Sequence, residues 1–205
     1  MKKLISLLPL CLSAGLLLTQ PSWSQSAVDP GSAAFMHGDY ATTMTEWWKK
    51  AQTGDAEAIN NIGILYNKGL GVDRDPAKAA DWYRRAADFG YPNAQFNLAN
   101  LYYAGEGVQK DAKQAAHWYQ QAAERGHLGA QYYLGLMYQD GEGVPQDLDR
   151  AAGYYFAVYD GVAEAGIRLA MLSREGRIKP PSTRFAADLE ARALDLFTKR
   201  VEQTR

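Results

Sequence analysis

Leu101-Tyr102-Tyr103-Ala104-Gly105-Glu106-Gly107-Val108, reaching Asp111 three residues later, is the middle one of three closely similar passages. Leu65-Tyr66-Asn67-Lys68-Gly69-Leu70-Gly71-Val72 precedes it and reaches Asp75. Met137-Tyr138-Gln139-Asp140-Gly141-Glu142-Gly143-Val144 follows it and reaches Asp147. The Gly-Val pairs are spaced by 36 residues, and Ala79-Ala80, Ala115-Ala116 and Ala151-Ala152 return in the same register. Self-similarity at a fixed short period is the signature of a repeat array. One such unit cannot bury its apolar face alone. Stacked copies share a continuous core and present one long ribbed surface, so binding is the first function to look for.

Each unit divides into two antiparallel helices. Ala58, Ile62, Leu65 and Tyr66 form an apolar stripe at helical spacing, which predicts a helix A over Ala58–Asn67. Gly69 and Gly71 then supply the positive φ that follows a helix end, and Val72 is placed to turn into the core. Asp75-Pro76 opens helix B with an acidic N-cap and a proline at the first helical position, where no N–H is needed. Asp111 and Asp147 repeat the cap. Helix B carries Ala79, Ala80, Trp82, Tyr83, Ala86 and Ala87, and the next copy carries Ala115, Ala116, Trp118, Tyr119, Ala122 and Ala123. Small residues allow close helix approach while the rings fill wider gaps, so these side chains are expected to pack against Gly63, Ala99 and Gly135 of the A helices. The third copy reaches its closing Gly161 one residue early, and the next A helix, Ala163 to Arg174, follows at 35 residues.

The run from Ala94 to Val108, with Asp111, Ala115-Ala116 and Trp118-Tyr119, resembles the Sel-one-like repeat, a relative of the tetratricopeptide repeat. The resemblance covers residues 39–176 as a half unit (Gly38-Asp39-Tyr40-Ala41 through Trp47, Ala51 and Gly54), three full copies and a trailing half. It implies an all-α fold, a right-handed α/α solenoid whose A helices line the concave side and hold a segment or loop of another protein. Residues 25–38 read as an N-terminal lead-in. Over residues 177–205, Pro180-Pro181-Ser182 opens a final helix with Phe185, Leu189, Leu196 and Phe197 on one face and charges on the other, as a terminal cap requires.

The first residues carry a separate message. Lys2-Lys3 precede an apolar run from Leu4 to Leu18 and the small residues of Pro21-Ser22-Trp23-Ser24, the pattern of a secretory signal peptide over residues 1–24, cleaved near residues 24–26. The run is shorter than the roughly 20 residues that span a bilayer, and no later segment is a membrane candidate. The expected location is therefore periplasmic or secreted. Cys11 is the single cysteine and leaves with the signal, removing disulfides, thiol nucleophiles and thiolate ligands from the mature chain. Loss of Lys2 and Lys3 takes the formal charge from −1 to about −3, which gives no footprint for nucleic acid.

Setting core positions aside leaves an inner face on successive A helices: Asn60, Asn61, Ile64 and Asn67; Phe96, Asn97, Asn100 and Tyr103; Tyr132, Tyr133, Leu136 and Gln139; Ile167, Arg168 and Met171. Of these, Asn60, Asn61, Asn97, Asn100, Tyr103, Tyr133 and Arg168 are the candidate partner-binding residues. A carboxamide both donates and accepts, so Asn61 and Asn97, one copy apart, can pair with a peptide backbone whatever its sequence. The line continues through Tyr133 to Arg168, whose planar fork suits a carboxylate. An extended acidic or C-terminal segment of another envelope protein would fit it. The other reading of the asparagines is structural: each bonds a neighbouring helix end.

The resemblance also brings β-lactam binding or hydrolysis into consideration. That chemistry needs a serine followed by lysine three residues on, and Ser26, Ser32, Ser173 and Ser182 all lack one. His37, His117 and His127 show no metal-ligand spacing, and His117, beside Trp118, reads as solvated or capping. Asp75, Glu106, Asp111 and Glu142 recur with the repeat as caps and turn residues. No catalytic, cofactor or metal residue is expected. The sequence points to a non-enzymatic adaptor or regulator, with a binder of peptidoglycan or another envelope glycan as the alternative. It leaves the oligomeric state open.

Overall fold

The computed structural model describes residues 28–179, together with Ala187 and Ala191, which are both helical. The expected signal peptide and nearly all of the expected capping helix lie outside the described residues. Within them the chain is all-helical: α1 Pro30–Met36, α2 Tyr40–Gln52, α3 Ala56–Lys68, α4 Pro76–Asp88, α5 Pro92–Ala104, α6 Ala112–Glu124, α7 Leu128–Asp140, α8 Leu148–Val158 and α9 Ala163–Arg174. Helices pack chiefly on their neighbours in the chain, α1 on α2 through to α8 on α9, which is the nearest-neighbour stacking of an α/α solenoid. The A helices are α3, α5, α7 and α9; α4, α6 and α8 are the B helices, and α2, packed on α1 and α3, precedes them as a half unit.

Helix ends fall where the repeated polar residues place them. Asp75, Asp111 and Asp147 cap α4, α6 and α8 by accepting the backbone N–H of Lys78 at 3.0 Å, Gln114 at 3.1 Å and Arg150 at 2.9 Å. Gly69, Gly105 and Gly141 end α3, α5 and α7 in the left-handed region, with φ of 70°, 77° and 72°. The glycine of each Gly-Val pair has a further reason to be there. A Cβ on Gly107 would lie 2.3 Å from the Pro76 carbonyl carbon, and one on Gly143 would lie 2.2 Å from the Ala112 oxygen. Each Gly-Val loop therefore seats against the start of the preceding B helix, and this contact between units sets their spacing.

The core repeats with the same period. Tyr83, Tyr119 and Tyr155 are buried in their B helices, against Gly63, Ala99 and Gly135 as the small-to-large alternation requires. A Cβ on Gly63 would stand 2.6 Å from the Tyr83 ring, and one on Gly135 would stand 2.7 Å from the Tyr155 ring. Gly161 departs from its counterparts: Gly54, Gly90 and Gly126 have positive φ and Gly161 does not. Its N–H bonds the residue three back as theirs do, but the following Val162 N–H bonds Val158 at 2.7 Å, four residues back, where Asp55, Tyr91 and His127 reach five back, and the register of α9 shifts by one residue.

The lead-in is more structured than the sequence suggested. Asp29-Pro30 opens α1 with the Asp-Pro signal that opens α4, and Asp29 also receives Trp47 at 3.3 Å and Lys50 at 2.5 Å from α2. The Lys50 ammonium and the hydrogen bonds from Ser32 and Trp47 hold the Asp29 carboxyl down at about 2.

Candidate functional site

The A-helix face brings the candidate residues into one connected surface and gives most of them internal partners. Asn60 is buried, donating to Asn61 Oδ1 at 3.2 Å and accepting from Asn97 Nδ2 at 3.0 Å across the interval between α3 and α5. Asn61 and Asn97 are therefore coupled through Asn60 and are not two independent rungs. Both remain half-buried and solvent-reachable.

Asn100 has a structural partner. Each buried B-helix tyrosine needs an acceptor for its hydroxyl, because leaving a buried O–H unpaired costs about 1–3 kcal/mol. Tyr119 donates to Asn100 Oδ1 at 2.6 Å, and Tyr155 donates to Gln139 Oε1 at 2.9 Å. Tyr83 meets the Asn67 carboxamide, whose Oδ1 is buried with no other partner. Burial raises the hydroxyl pKa of all three tyrosines.

The acceptor moves by one helical turn between copies. The paired positions hold Ile64 and Asn67 in α3, Asn100 and Tyr103 in α5, and Leu136 and Gln139 in α7. Each copy has one carboxamide, and where Tyr103 takes the usual acceptor position the amide appears a turn earlier. Asn100 thus belongs to the packing of its own unit, through a tyrosine hydroxyl and not a helix end.

Tyr103 and Tyr133 lie in an aromatic network across the second and third copies. Tyr133 stacks on Tyr119 with centroids 5.4 Å apart and meets Tyr103 edge-on at 6.5 Å. Phe96 contacts Tyr133 at 5.9 Å and stacks on His127 at 4.3 Å. The Tyr103 hydroxyl donates to Glu142 at 2.9 Å, and that carboxylate raises its pKa. His127, not His117, is the capping histidine: its Nδ1 accepts the Ala130 N–H at 3.0 Å and closes the start of α7. Burial lowers its pKa, as a neutral acceptor there requires. His117 is exposed and edge-on to Trp118. This cap was readable only as His127 standing where Asp55 stands before α3.

Arg168 ends the line on α9, half-buried beside the exposed Met171. Among the described residues no carboxylate lies within ion-pair distance of it. The face thus runs from an amide cluster through a ring cluster to a guanidinium that no carboxylate among the described residues pairs with. Among the described residues no group of three His, Cys, Asp or Glu side chains converges on a metal-sized site. No described helix is long and apolar enough to cross a membrane.

Helix pairs repeated at 36 residues with a continuous A-helix face define an α/α repeat protein of the binding class. The Sel1 repeat family model matches residues 56–91, 92–127 and 129–156, and the chain is a Sel1-like repeat protein. A Sel1 repeat protein from Oxalobacter formigenes superposes with a TM-score of 0.75 at 28% identity, over 80% of this chain and 68% of that one. A putative sel1 repeat protein from Klebsiella pneumoniae shares the fold, with a TM-score of 0.54 at 22% identity over 84% and 87% of the two chains. A rat protein, DAP3-binding cell death enhancer 1, is 36% identical over 59 residues, or 29% of this chain and only 12% of its own. Sel1 repeat proteins are generally protein-interaction adaptors, and the fold is typically a non-enzymatic scaffold.

Proposed function

We propose that the protein is a non-enzymatic, exported adaptor or regulator that holds an extended acidic or C-terminal segment of another envelope protein along its A-helix face. The observation that carries this reading is Arg168. It is half-buried, no carboxylate among the described residues lies within ion-pair distance of it, and a ligand carboxylate would form a bidentate pair with it. Asn61 and Asn97 stand on the same line toward the amino-terminal end and offer amide groups to a backbone. Tyr133 and Tyr103 lie between them as a rigid aromatic floor, the residue type that dominates binding energy at interfaces.

The basic, apolar and small-residue order of the first 24 residues supports export, and an exported chain would meet its partner in the envelope. Co-purification from an envelope fraction tests the proposal. One defined protein should accompany the wild-type chain and the Lys78→Glu variant, altered on a B helix, and be lost with Arg168→Glu. Recovery of the same protein with Arg168→Glu would refute the assignment of the face.

A further inference from the structure

A second site lies on the B-helix side, independent of the A-helix face. Gln120 of α6, Gln131 and Tyr138 of α7, and Arg150, Tyr154 and Ala157 of α8 line a groove of about 370 Å³, with Gly153 at its edge. That volume falls within the roughly 300–1,000 Å³ typical of small-ligand sites.

The preceding groove, between α4 and α6, is an internal control. There Arg84 reaches across to the Tyr102 hydroxyl at 2.8 Å, and His117, Trp118 and Gln121 occupy the far wall. In the later groove Gln120 replaces Arg84 and turns along its own helix to Glu124 at 3.0 Å, leaving no bridge from α6, and the Tyr138 hydroxyl is reached instead by Arg150 from α8. Gly153, Tyr154 and Ala157 replace His117, Trp118 and Gln121. Gln95 at the base of the earlier groove is buried with its Oε1 unpaired, whereas the equivalent Gln131 is reached by solvent.

Among the described residues nothing requires glycine at position 153. It is an exposed mid-helix residue without positive φ, and a Cβ there meets nothing within 4 Å among the described residues. A glycine in that setting weakens α8 and gives no packing in return. What it does provide is open space.

We propose that this groove binds a neutral pyranose ring of a glycan. Its charge is already satisfied, because Arg150 pairs with Asp147 at 3.4 Å and donates to the Tyr138 hydroxyl at 3.0 Å. An anionic ligand would compete with both. A purely apolar side chain would strip water from the Gln120 and Gln131 amides and the tyrosine hydroxyls without replacing their hydrogen bonds. A sugar ring meets both demands: its C–H face lies on the half-buried Tyr154 ring, which is backed by the buried Tyr138 with the two planes 12° apart, and its hydroxyls pair with the amides. Gln131 Nε2 is held by the Ala123 carbonyl at 3.1 Å, which presents its oxygen as an ordered acceptor.

Chitotetraose and maltotetraose, titrated separately into isotope-labelled protein, test this by NMR. Saturable shifts at the amides of Gly153, Tyr154 and Ala157 with either sugar are expected. They should disappear in Gly153→His/Ala157→Gln, which restores the residues of the preceding copy. Ala157→Gln alone serves if the double variant loses its helical circular dichroism. No shift with either sugar at millimolar concentration, or shifts that survive the filled groove, would overturn the site. Shifts confined to Asn61 and Asn97 would do so too, while leaving the A-helix face intact as a binding surface.

Discussion

Gly135→Leu tests the helix interface on which every copy depends. The Cβ alone would lie 2.7 Å and 2.9 Å from two carbons of the Tyr155 ring, well inside van der Waals contact, and three further carbons follow it. Tyr155 is fully buried and cannot swing outward without breaking its 2.9 Å bond to Gln139. Overpacking of this kind costs about 1–3 kcal/mol. Losing the hydroxyl bond adds about 1 kcal/mol. Replacing a helical glycine returns somewhat under ~1 kcal/mol. The balance is a loss of about 1–3 kcal/mol, or roughly 2–12 °C in the midpoint of thermal unfolding at about 2–4 °C per kcal/mol for a chain of this size. Circular dichroism at 222 nm against temperature measures it. Gly135→Ala should fall between this variant and the wild type, because Ala99 shows that the interface in the second copy accommodates one methyl. An unchanged midpoint for Gly135→Leu would refute the placement of α7 against α8.

Asn100→Leu should destabilise the chain by about 1–3 kcal/mol by orphaning the Tyr119 hydroxyl, and adding Tyr103→Gln should recover part of that loss by restoring the acceptor position of the third copy. Urea unfolding of both variants decides it, and a double variant less stable than the single one would contradict the shifting-acceptor account. The His127 pKa is lowered in the folded chain, so its contribution is present above the unfolded value near 6.5 and is lost as pH falls through the lower folded value. Wild-type thermal stability should therefore decline from about pH 7 toward pH 5, and His127→Asn, which keeps a cap that does not titrate, should flatten that slope. Asp147→Ala should cost about 1 kcal/mol by uncapping α8, read in the same melts.

Much of the solenoid was legible because its determinants are local. A helix stripe, a glycine stop and an Asp cap each occupy a few consecutive residues, and threefold repetition averages out ambiguity in any one. The helix expected over Ala58–Asn67 is α3, Ala56–Lys68, and Ala163–Arg174 is α9 to the residue. Helix α1 escaped notice although Asp29-Pro30 carries the same start signal as Asp75-Pro76, because it stands once, outside the period, and is held by Trp47 and Lys50 on another helix. The inner-face positions were legible as one side of the A helices and not as a set of bonds. Helical spacing places Asn60, Asn61, Asn97 and Asn100 on the inner side. Which amide meets which depends on the rotation of α5 against α3 and α6, and that is set by packing. The opening beside Gly153 was harder to see, since a missing side chain leaves a mark only when copies are compared position by position.

Site-resolved photo-crosslinking in cells tests the central claim most directly. A photoreactive residue at Met171, exposed on α9 one turn from Arg168, is paired with one at Lys78 on the outer surface. The account predicts one envelope protein captured from Met171 and not from Lys78, with the crosslink mapping to an acidic or C-terminal segment and lost on adding Arg168→Ala. Equal capture from both positions, or capture from Met171 that persists without the Arg168 guanidinium, would contradict it.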